Sequence, residues 1–327
     1  MTSIVIPIQN EQESLDALVA EIGRAFGAGT TPPEGGEYEV ILIDDGSRDG
    51  SWEVARRLVA ADPRVSAIRF RRNFGKAAAL TAGFRAARGS VVFTMDGDLQ
   101  DDPAEIPRFL DQLGRDLDVV SGWKRTRHDP WHKVLPSRIF NRAVSTLTGC
   151  QLHDHNCGFK VYRREVLDEV DLYGELHRFI PVLAFARGFR VGEIEVRHRP
   201  RRFGQSKYGV SRLFKGFLDL LTVRFLTRYG RRPLHAFGGV GLVLIAIGGC
   251  GLAYLAVLWV MGERPIGVRP LLIYSAAALG VGVQLVSLGV LAEMVTAFTI
   301  RDRETYSVAE TLGRAGPVVE ATERAPE

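Results

Sequence analysis

The stretch Phe93 to Glu105, FTMDGDLQDDPAE, sets five carboxylates (Asp96, Asp98, Asp101, Asp102 and Glu105) within ten residues, directly after an apolar run. Like charges this close repel one another at neutral pH, and a bound divalent cation relieves them. Oxygen donors without a neighbouring His or Cys suit Mg²⁺ or Mn²⁺, hard cations that stay partly hydrated and also bind phosphate oxygens. Asp96 and Asp98 lie two apart, Gly97 lets the chain turn between them, and Gln100 adds a neutral oxygen. These three are the candidate metal ligands. The later part of the stretch reads as structural, with Asp102 capping a helix and Pro103 in its first turn. An Asp-x-Asp triplet alone also occurs in solvated acidic loops. Its place after the run VVFTM distinguishes this one, as does a second acidic turn, IDDGS with Asp44 and Asp45, after another apolar run.

Those turns need a scaffold, and the pattern around them supplies one. SIVIPI (3–8), EVILIDD (39–45), VSAIRF and SVVFTMD are short apolar runs ending in polar turns. Between them, Leu15, Leu18, Val19 and Ile22 have helical spacing. SWEVARRLVAAD reads as a second helix, with Ser51 as its N-cap, and KAAALTAGFRAARG as a third. Strand and helix alternating in this way predict a parallel sheet covered by helices on both faces. Ligands then bind beyond the carboxyl ends of the strands, where both acidic turns fall.

The composition changes after about residue 232. Ala236 to Gly262 and Pro270 to Ala292 carry no charge. At about 1.5 Å per residue each run crosses a hydrocarbon core of about 30 Å, whereas buried helices seldom need more than about 14 uncharged residues. Two transmembrane helices are expected, at about 236–262 and 270–295. Arg212, Lys215, Arg224, Arg228, Arg231 and Arg232 precede the first, and Arg301 and Arg303 follow the second. The connecting loop has only Arg264 and Arg269, an asymmetry that places both termini in the cytoplasm. The segment 209–232, with Val210, Leu213, Phe214, Phe217, Leu218, Leu221 and Phe225 on one helical stripe, reads as interfacial helices lying on the membrane. The N-terminus runs into a strand pattern without a signal peptide. Residues 1–208 are expected to form a cytoplasmic domain, and 301–327 a cytoplasmic tail. Cys150, Cys157 and Cys250 show neither metal-ligand spacing nor an even disulfide set, and read as structural in a reducing compartment. The net charge of +4 and the pI near 9 would admit nucleic acid, but the basic residues gather beside the spans, where membrane proximity explains them.

IVIPIQNEQESL, VILIDDGSRDGS, RNFGKAAALTAGFRAARG, TMDGDLQDDPAEIP and HRPRRFGQSKYG together resemble family 2 glycosyltransferases of the GT-A (Rossmann-like) α/β fold. Nearest are the polyprenyl-phosphate sugar transferases of the dolichol-phosphate mannose synthase and GtrB type. The resemblance covers about residues 2–300, paired C-terminal spans included, and the order of the motifs makes it specific. It implies inverting transfer of a sugar from a UDP- or GDP-linked donor to a polyprenyl phosphate at the cytoplasmic face of the membrane. It further implies that Pro7, Gln9 and Glu11 line the nucleoside pocket, that Asp44 and Asp45 hold base and ribose, and that Lys76 approaches the diphosphate. Asp96, Asp98 and Gln100 would hold Mg²⁺ or Mn²⁺. Arg202, Ser206 and Lys207 would close over the diphosphate, and Arg125 and Arg138 would take the acceptor phosphate. Asp154 matches a position regarded as a catalytic base, its alternative role being a structural pairing, and His177 and Arg178 would face the acceptor. Gln9 replaces an aromatic residue common in relatives.

Two rival readings follow from the same residues. A processive polysaccharide synthase carries a QxxRW element and more spans, and this chain has no Arg-Trp pair. A membrane-anchored nucleotide-sugar binding protein without turnover would have no need of the acidic turn and the basic clamp together.

Overall fold

The computed structural model describes residues 1–27, 37–125, 131–170, 176–199, 219–225, 229, 232–263, 265, 267 and 269–300. Its elements begin with β1 (Thr2–Ile8), α1 (Leu15–Gly27), β2 (Tyr38–Asp44), α2 (Ser51–Ala61), β3 (Val65–Arg69), α3 (Lys76–Ala86) and β4 (Val91–Thr94). α4 (Ile106–Gly114), β5 (Val119–Trp123), α5 (Trp131–Thr148), β6 (Lys160–Arg163), α6 (Arg164–Glu169), α7 (Ile180–Arg187) and β7 (Val191–Glu195) complete the domain. Two long helices follow, α8 (Pro233–Val260) and α9 (Pro270–Ile300).

The seven strands pair in the order β3-β2-β1-β4-β6-β5-β7. β1 and β2 carry apolar side chains at every second position on both faces. Ile4, Ile6, Ile8, Val40 and Leu42 pack with Leu15, Leu18 and Ile22 of α1 and Phe109 of α4. Val5, Ile41 and Ile43 pack on the other side with Leu80 and Phe84 of α3 and Ile180 of α7. Burial on both faces is what a parallel sheet between two helical layers requires.

The sheet is mixed, not wholly parallel as the alternation predicts. β6 alone runs against its neighbours, with Thr94 opposite Lys160 and Ser121 opposite Lys160. The physical reason is the loop 149–159, which returns the chain to the carboxyl edge of β4, so that the next strand must run back. The expected N-cap at Ser51 is also corrected. Gly50 occupies the cap, while the buried Ser51 hydroxyl donates to Asp49 Oδ1 at 2.6 Å and accepts from the Glu11 amide at 2.8 Å, tying two loops together.

A third core lies under α5, where Val144, Cys150, Leu152, Leu176, Phe179 and Val182 surround Leu220 and Val223. Segment 219–225 is therefore helical with one side packed on the domain, while Leu221 points outward. The remainder of the expected interfacial stripe, Val210 to Leu218, lies outside the described residues. Phe225 continues onto α8, its ring 5.6 Å from that of Phe237.

α8 and α9 form an antiparallel hairpin closed by small residues. A β-carbon on Gly241 would stand 2.7 Å from the Gly282 carbonyl, and one on Gly248 2.6 Å from the Ser275 carbonyl. Only 17% and 11% of their most apolar stretches are buried. Helices this apolar and this little buried are long enough to cross a membrane and do not have the burial of core helices in a soluble domain. Near the foot of the hairpin, Glu293 accepts the amide of Leu234 at 3.1 Å and so satisfies a free donor in the first turn of α8.

Candidate active site

Three strand ends build the floor. The loop after β1 turns at Asn10, whose positive φ of 60° suits asparagine. Its amide donates to Ser47 Oγ at 3.0 Å, and its side chain accepts from the Arg48 amide at 2.8 Å. The turn after β2 passes close beneath residues 72 and 73. Gly46 has φ 69°, and a β-carbon there would lie 2.6 Å from the Arg72 carbonyl carbon. A cavity of about 820 Å³ opens above this floor, lined by Gln9, Asn10, Ser47, Arg48, Arg71 and Arg72 among others. Its size suits a nucleotide-sized ligand.

Asp44 and Asp45 are buried beneath the cavity. Asp44 accepts from the Ser47 amide at 2.8 Å and meets Arg69 Nε at 3.3 Å. Asp45 accepts from the amides of Phe74 (2.7 Å) and Gly75 (3.0 Å), shaping the entry to α3. Both carboxylates thus hold the loops that form the cavity. Pro7 and Glu11 are half-buried at the same edge, and Ser14 Oγ lies 2.6 Å from the Gly97 carbonyl, joining that loop to the acidic turn.

Each of the five crowded carboxylates has a partner in the fold. Lys76, the first residue of α3, ion-pairs with Asp96. Burial opposes ionisation of Asp96, but the ammonium groups of Lys76 and Lys124 outweigh it and hold the carboxyl at about 2. The Asp96 side chain keeps 36% of its surface open, so a ligand can reach it. Asp98 is buried and accepts from the Gln100 amide at 3.2 Å, and Leu99 between them takes the left-handed φ of 60°. Asp101 meets Lys124 at 2.7 Å with both side chains largely enclosed. Burial works against the Lys124 charge, but the Asp101 carboxylate, helped by Cys157 and Asp96, outweighs it and keeps the lysine charged. Asp102 caps Ala104 at 3.0 Å, as its sequence context predicts, and pairs with Arg199 at 2.7 Å. Glu105 pairs with Arg108. Protein cations therefore answer most of the charge.

The donor set nevertheless fits a divalent ion. Asp96 and Asp98 are hard oxygen ligands at one strand end, and among the described residues no group of three His, Cys, Asp or Glu could enclose a metal. Two carboxylates plus phosphate oxygens and water is the usual Mg²⁺-type site. Gln100 stands at the rim, its side-chain nitrogen 3.5 Å from His198 Nε2.

The wall opposite Lys76 is the loop 152–160. Asp154 is buried and accepts the Asn156 amide at 3.1 Å. Lys160, also buried, donates to the carbonyls of Cys157 (2.6 Å) and His155 (3.3 Å). Burial lowers its ammonium to about 8. Burial, followed by the Lys160 charge, brings His155 down to about 4, and burial with Lys76 and Arg178 keeps His177 neutral beside Asp96. The Cys157 and Cys150 thiols are pushed up to about 12 by burial and are inert. Lys124 and Lys160 join this cluster without having been singled out in the sequence, as does His198, which opens the motif HRPRRFGQSKYG but was given no role there. Their only signal is position, Lys124 following β5 and Lys160 opening β6.

Not every expected residue converges here. Arg125 is exposed, pairs with Glu195 at 3.3 Å and lies over the Trp123 ring. Arg138 is exposed on α5 and forms no ion pair with a described carboxylate. Arg178 follows the buried His177. Arg202, Ser206 and Lys207 lie outside the described residues.

An α/β domain with this mixed sheet, a nucleotide-sized cavity at its carboxyl edge and an Asp-x-Asp turn beside it is a GT-A-type glycosyltransferase. Residues 3–171 match the model of glycosyl transferase family 2, and the chain belongs to that family. Dodecaprenyl-phosphate galacturonate synthase of Rhizobium johnstonii is 40% identical, over 92% of this chain and 89% of that protein. Undecaprenyl-phosphate 4-deoxy-4-formamido-L-arabinose transferase of Aeromonas hydrophila is 34% identical, over 96% and 95%. Among solved structures, glucosyl-3-phosphoglycerate synthase of Mycobacterium tuberculosis with Mn²⁺ and UDP-glucose aligns with a TM-score of 0.52 at 20% identity. That alignment covers 69% of this chain and 78% of the other, and shows the shared fold.

Proposed function

We propose that this protein transfers a sugar from a nucleotide diphosphate sugar to a polyprenyl phosphate at the cytoplasmic face of a membrane. The observation that carries the reading is the open Asp96 carboxylate, paired with Lys76 at the carboxyl edge of the sheet that also bears the cavity, in a chain whose two long C-terminal helices are apolar enough to cross a membrane. The relatives that match along nine-tenths of the chain, spans included, are named for polyprenyl-phosphate sugar transfer.

In this reading the cavity takes the nucleoside, with Pro7, Gln9 and Glu11 at one side and the turn held by Asp44 and Asp45 at the other. Asp96 and Asp98, with Gln100 near them, would hold Mg²⁺ or Mn²⁺, which when bound neutralises charge on the diphosphate. Lys76 heads α3, where helix amides favour an anion, and is placed to leave Asp96 for the diphosphate as negative charge develops on it. Arg202, Ser206 and Lys207 complete the clamp. The bond from the anomeric carbon to the diphosphate oxygen breaks as a lipid phosphate oxygen bonds to the opposite face of that carbon, inverting it. A monophosphate with a second pKa of about 6 is already largely ionised at neutral pH, so the acceptor needs cations more than a base. Arg138 and, at the rim, Arg125 are the acceptor-side cations. Asp154, buried and bonded to the Asn156 amide, serves as the pin of its loop rather than as a base.

The test is direct. Membranes holding the protein are incubated with radiolabelled UDP- and GDP-sugars, and the lipid is extracted. Label in the lipid phase that depends on added polyprenyl phosphate supports the reading. Label that accumulates only as water-soluble or polymeric product would sink it. The topology is checked with impermeant thiol labels, which should modify a cysteine at Gly267 from outside the cell and leave cysteines at Gly230 and Tyr306 untouched.

A further inference from the structure

Among the described residues before α8, six large hydrophobic side chains are exposed, and four of them lie on α5 or on elements that share its core: Ile139 (62%) and Leu147 (39%) on α5, Phe185 (43%) on α7 and Leu221 (48%). Phe185 reaches the end of α5, since a β-carbon on Gly149 would lie 3.6 Å from its ring. The sequence of α5, WHKVLPSRIFNRAVSTLT, holds three Lys or Arg and no acidic residue. Its outer surface combines Ile139, Thr146 and Leu147 with Arg138 and Arg142, neither of which pairs with a described carboxylate.

The inner side of the same helix ties this surface to the membrane anchor. Val144 and Phe140 pack in the core that holds Leu220 and Val223. From Leu220 the chain has about 7 Å of helical rise to Phe225, whose ring meets Phe237 in the first turns of α8. α5 thus shares its core with the segment that leads into α8. A partly apolar helix surface bearing two arginines without a described carboxylate partner, on a helix whose sequence holds no acidic residue, has the chemistry of an interfacial helix. We propose that α5, with Phe185 and Leu221 beside it, is a second membrane contact that seats the catalytic domain on anionic phospholipid headgroups. The occupant is the bilayer rather than a second copy of the chain, because the arginines complement anionic lipid and the surface adjoins the spans. The proposal uses the membrane placement of α8 and α9 but none of the sugar-transfer chemistry.

Full-length protein with Cys250→Ser, whose remaining Cys150 and Cys157 are buried, would carry a fluorophore at Thr146→Cys or, separately, Phe185→Cys. Val59→Cys on α2 is the control. In vesicles of phosphatidylcholine and phosphatidylglycerol, lipid-borne nitroxide should remove roughly half the emission at positions 146 and 185, with shielding from aqueous iodide. The position 59 label should be quenched by iodide alone. Labels at 146 and 185 as open to iodide as that at 59 would overturn the contact. Shielding from both quenchers would overturn it too, indicating a protein partner. Transfer measured in the same vesicles keeps the outcomes separate, because intact transfer with iodide-open labels removes this contact and leaves the proposed function standing.

Discussion

The carboxylate of Asp96 lies against the α-carbon of Gly158. A β-carbon there would stand 2.6 Å from Oδ2 and 2.8 Å from the carboxyl carbon. The backbone at Gly158 is held in place, so the Asp96 side chain is the partner that must move. The Gly158 carbonyl accepts from Thr94 Oγ1 at 2.9 Å, and Lys160 holds the neighbouring Cys157 carbonyl at 2.6 Å. Gly158→Ala should therefore displace Asp96 from Lys76 and from the metal position, lowering kcat/KM by about 10²-fold, the scale of a 1 Å misplacement. Thermal unfolding should move by only a few degrees, because the group displaced is a partly open side chain with solvent to move into. Wild-type turnover in this variant would refute the close packing.

Metal dependence follows from the same turn. Asp98 is buried and sits two residues from Asp96, so the turn offers two hard oxygen donors. EDTA should abolish transfer, and either Mg²⁺ or Mn²⁺ should restore it. Asp98→Ala should lose about 10²- to 10³-fold in kcat, in line with removal of one electrostatic contact to a developing anion. Full turnover of the wild type in EDTA would exclude the assignment.

Much of this was legible in the sequence, for local reasons. The strands that carry the acidic turns, β2 and β4, read as apolar runs because nearly all of their residues are buried. The Asp-x-Asp turn and the Asp102 cap are determined by neighbours within three residues. The reversal of β6 was not legible, because it depends on where the 149–159 loop returns and not on any composition in β6. Nor were the partners of Asp101 and Asp102, since Lys124 and Arg199 reach them only through sheet order. Lys124 and Arg125 make the point most sharply. Adjacent residues at a strand end face opposite ways, and only the fold decides that the lysine enters the acidic cluster while the arginine meets Glu195.

His155 should make the protein acid-sensitive in a defined window. It is fully buried, with Nε2 3.0 Å from Ser145 Oγ, and burial together with Lys160 lowers it from 6.5 to about 4. Between those values the unfolded chain binds a proton that the folded chain refuses, so stability falls as pH drops through that range and is level above it. The depression corresponds to about 3 kcal/mol when complete. Thermal unfolding in detergent should show a Tm that declines from pH 6.5 towards 4, with a shallower decline for His155→Gln. Identical slopes for the two proteins would exclude His155 as the source.

The arginines on the acceptor side should separate cleanly. Arg138 stands on α5 without a described carboxylate partner, so its guanidinium is available for a phosphate. A charge-assisted hydrogen bond to that phosphate is worth about 1.5–3 kcal/mol, and Arg138→Ala should raise the KM for polyprenyl phosphate by about 10- to 100-fold. The nucleotide-sugar KM should change little, because the cavity between Gln9 and Arg72 is built from other elements. Arg125 is 66% exposed and already shares its charge with Glu195 across 3.3 Å. A solvent-screened pair of that kind contributes little, and Arg125→Ala should stay within about threefold of wild type. Steady-state transfer with each substrate varied in turn gives both constants. Equal losses for the two arginines, or a donor KM that rises with the acceptor KM in Arg138→Ala, would remove Arg138 from the acceptor site. Efficient transfer to the unphosphorylated polyprenol would remove the phosphate itself from the argument.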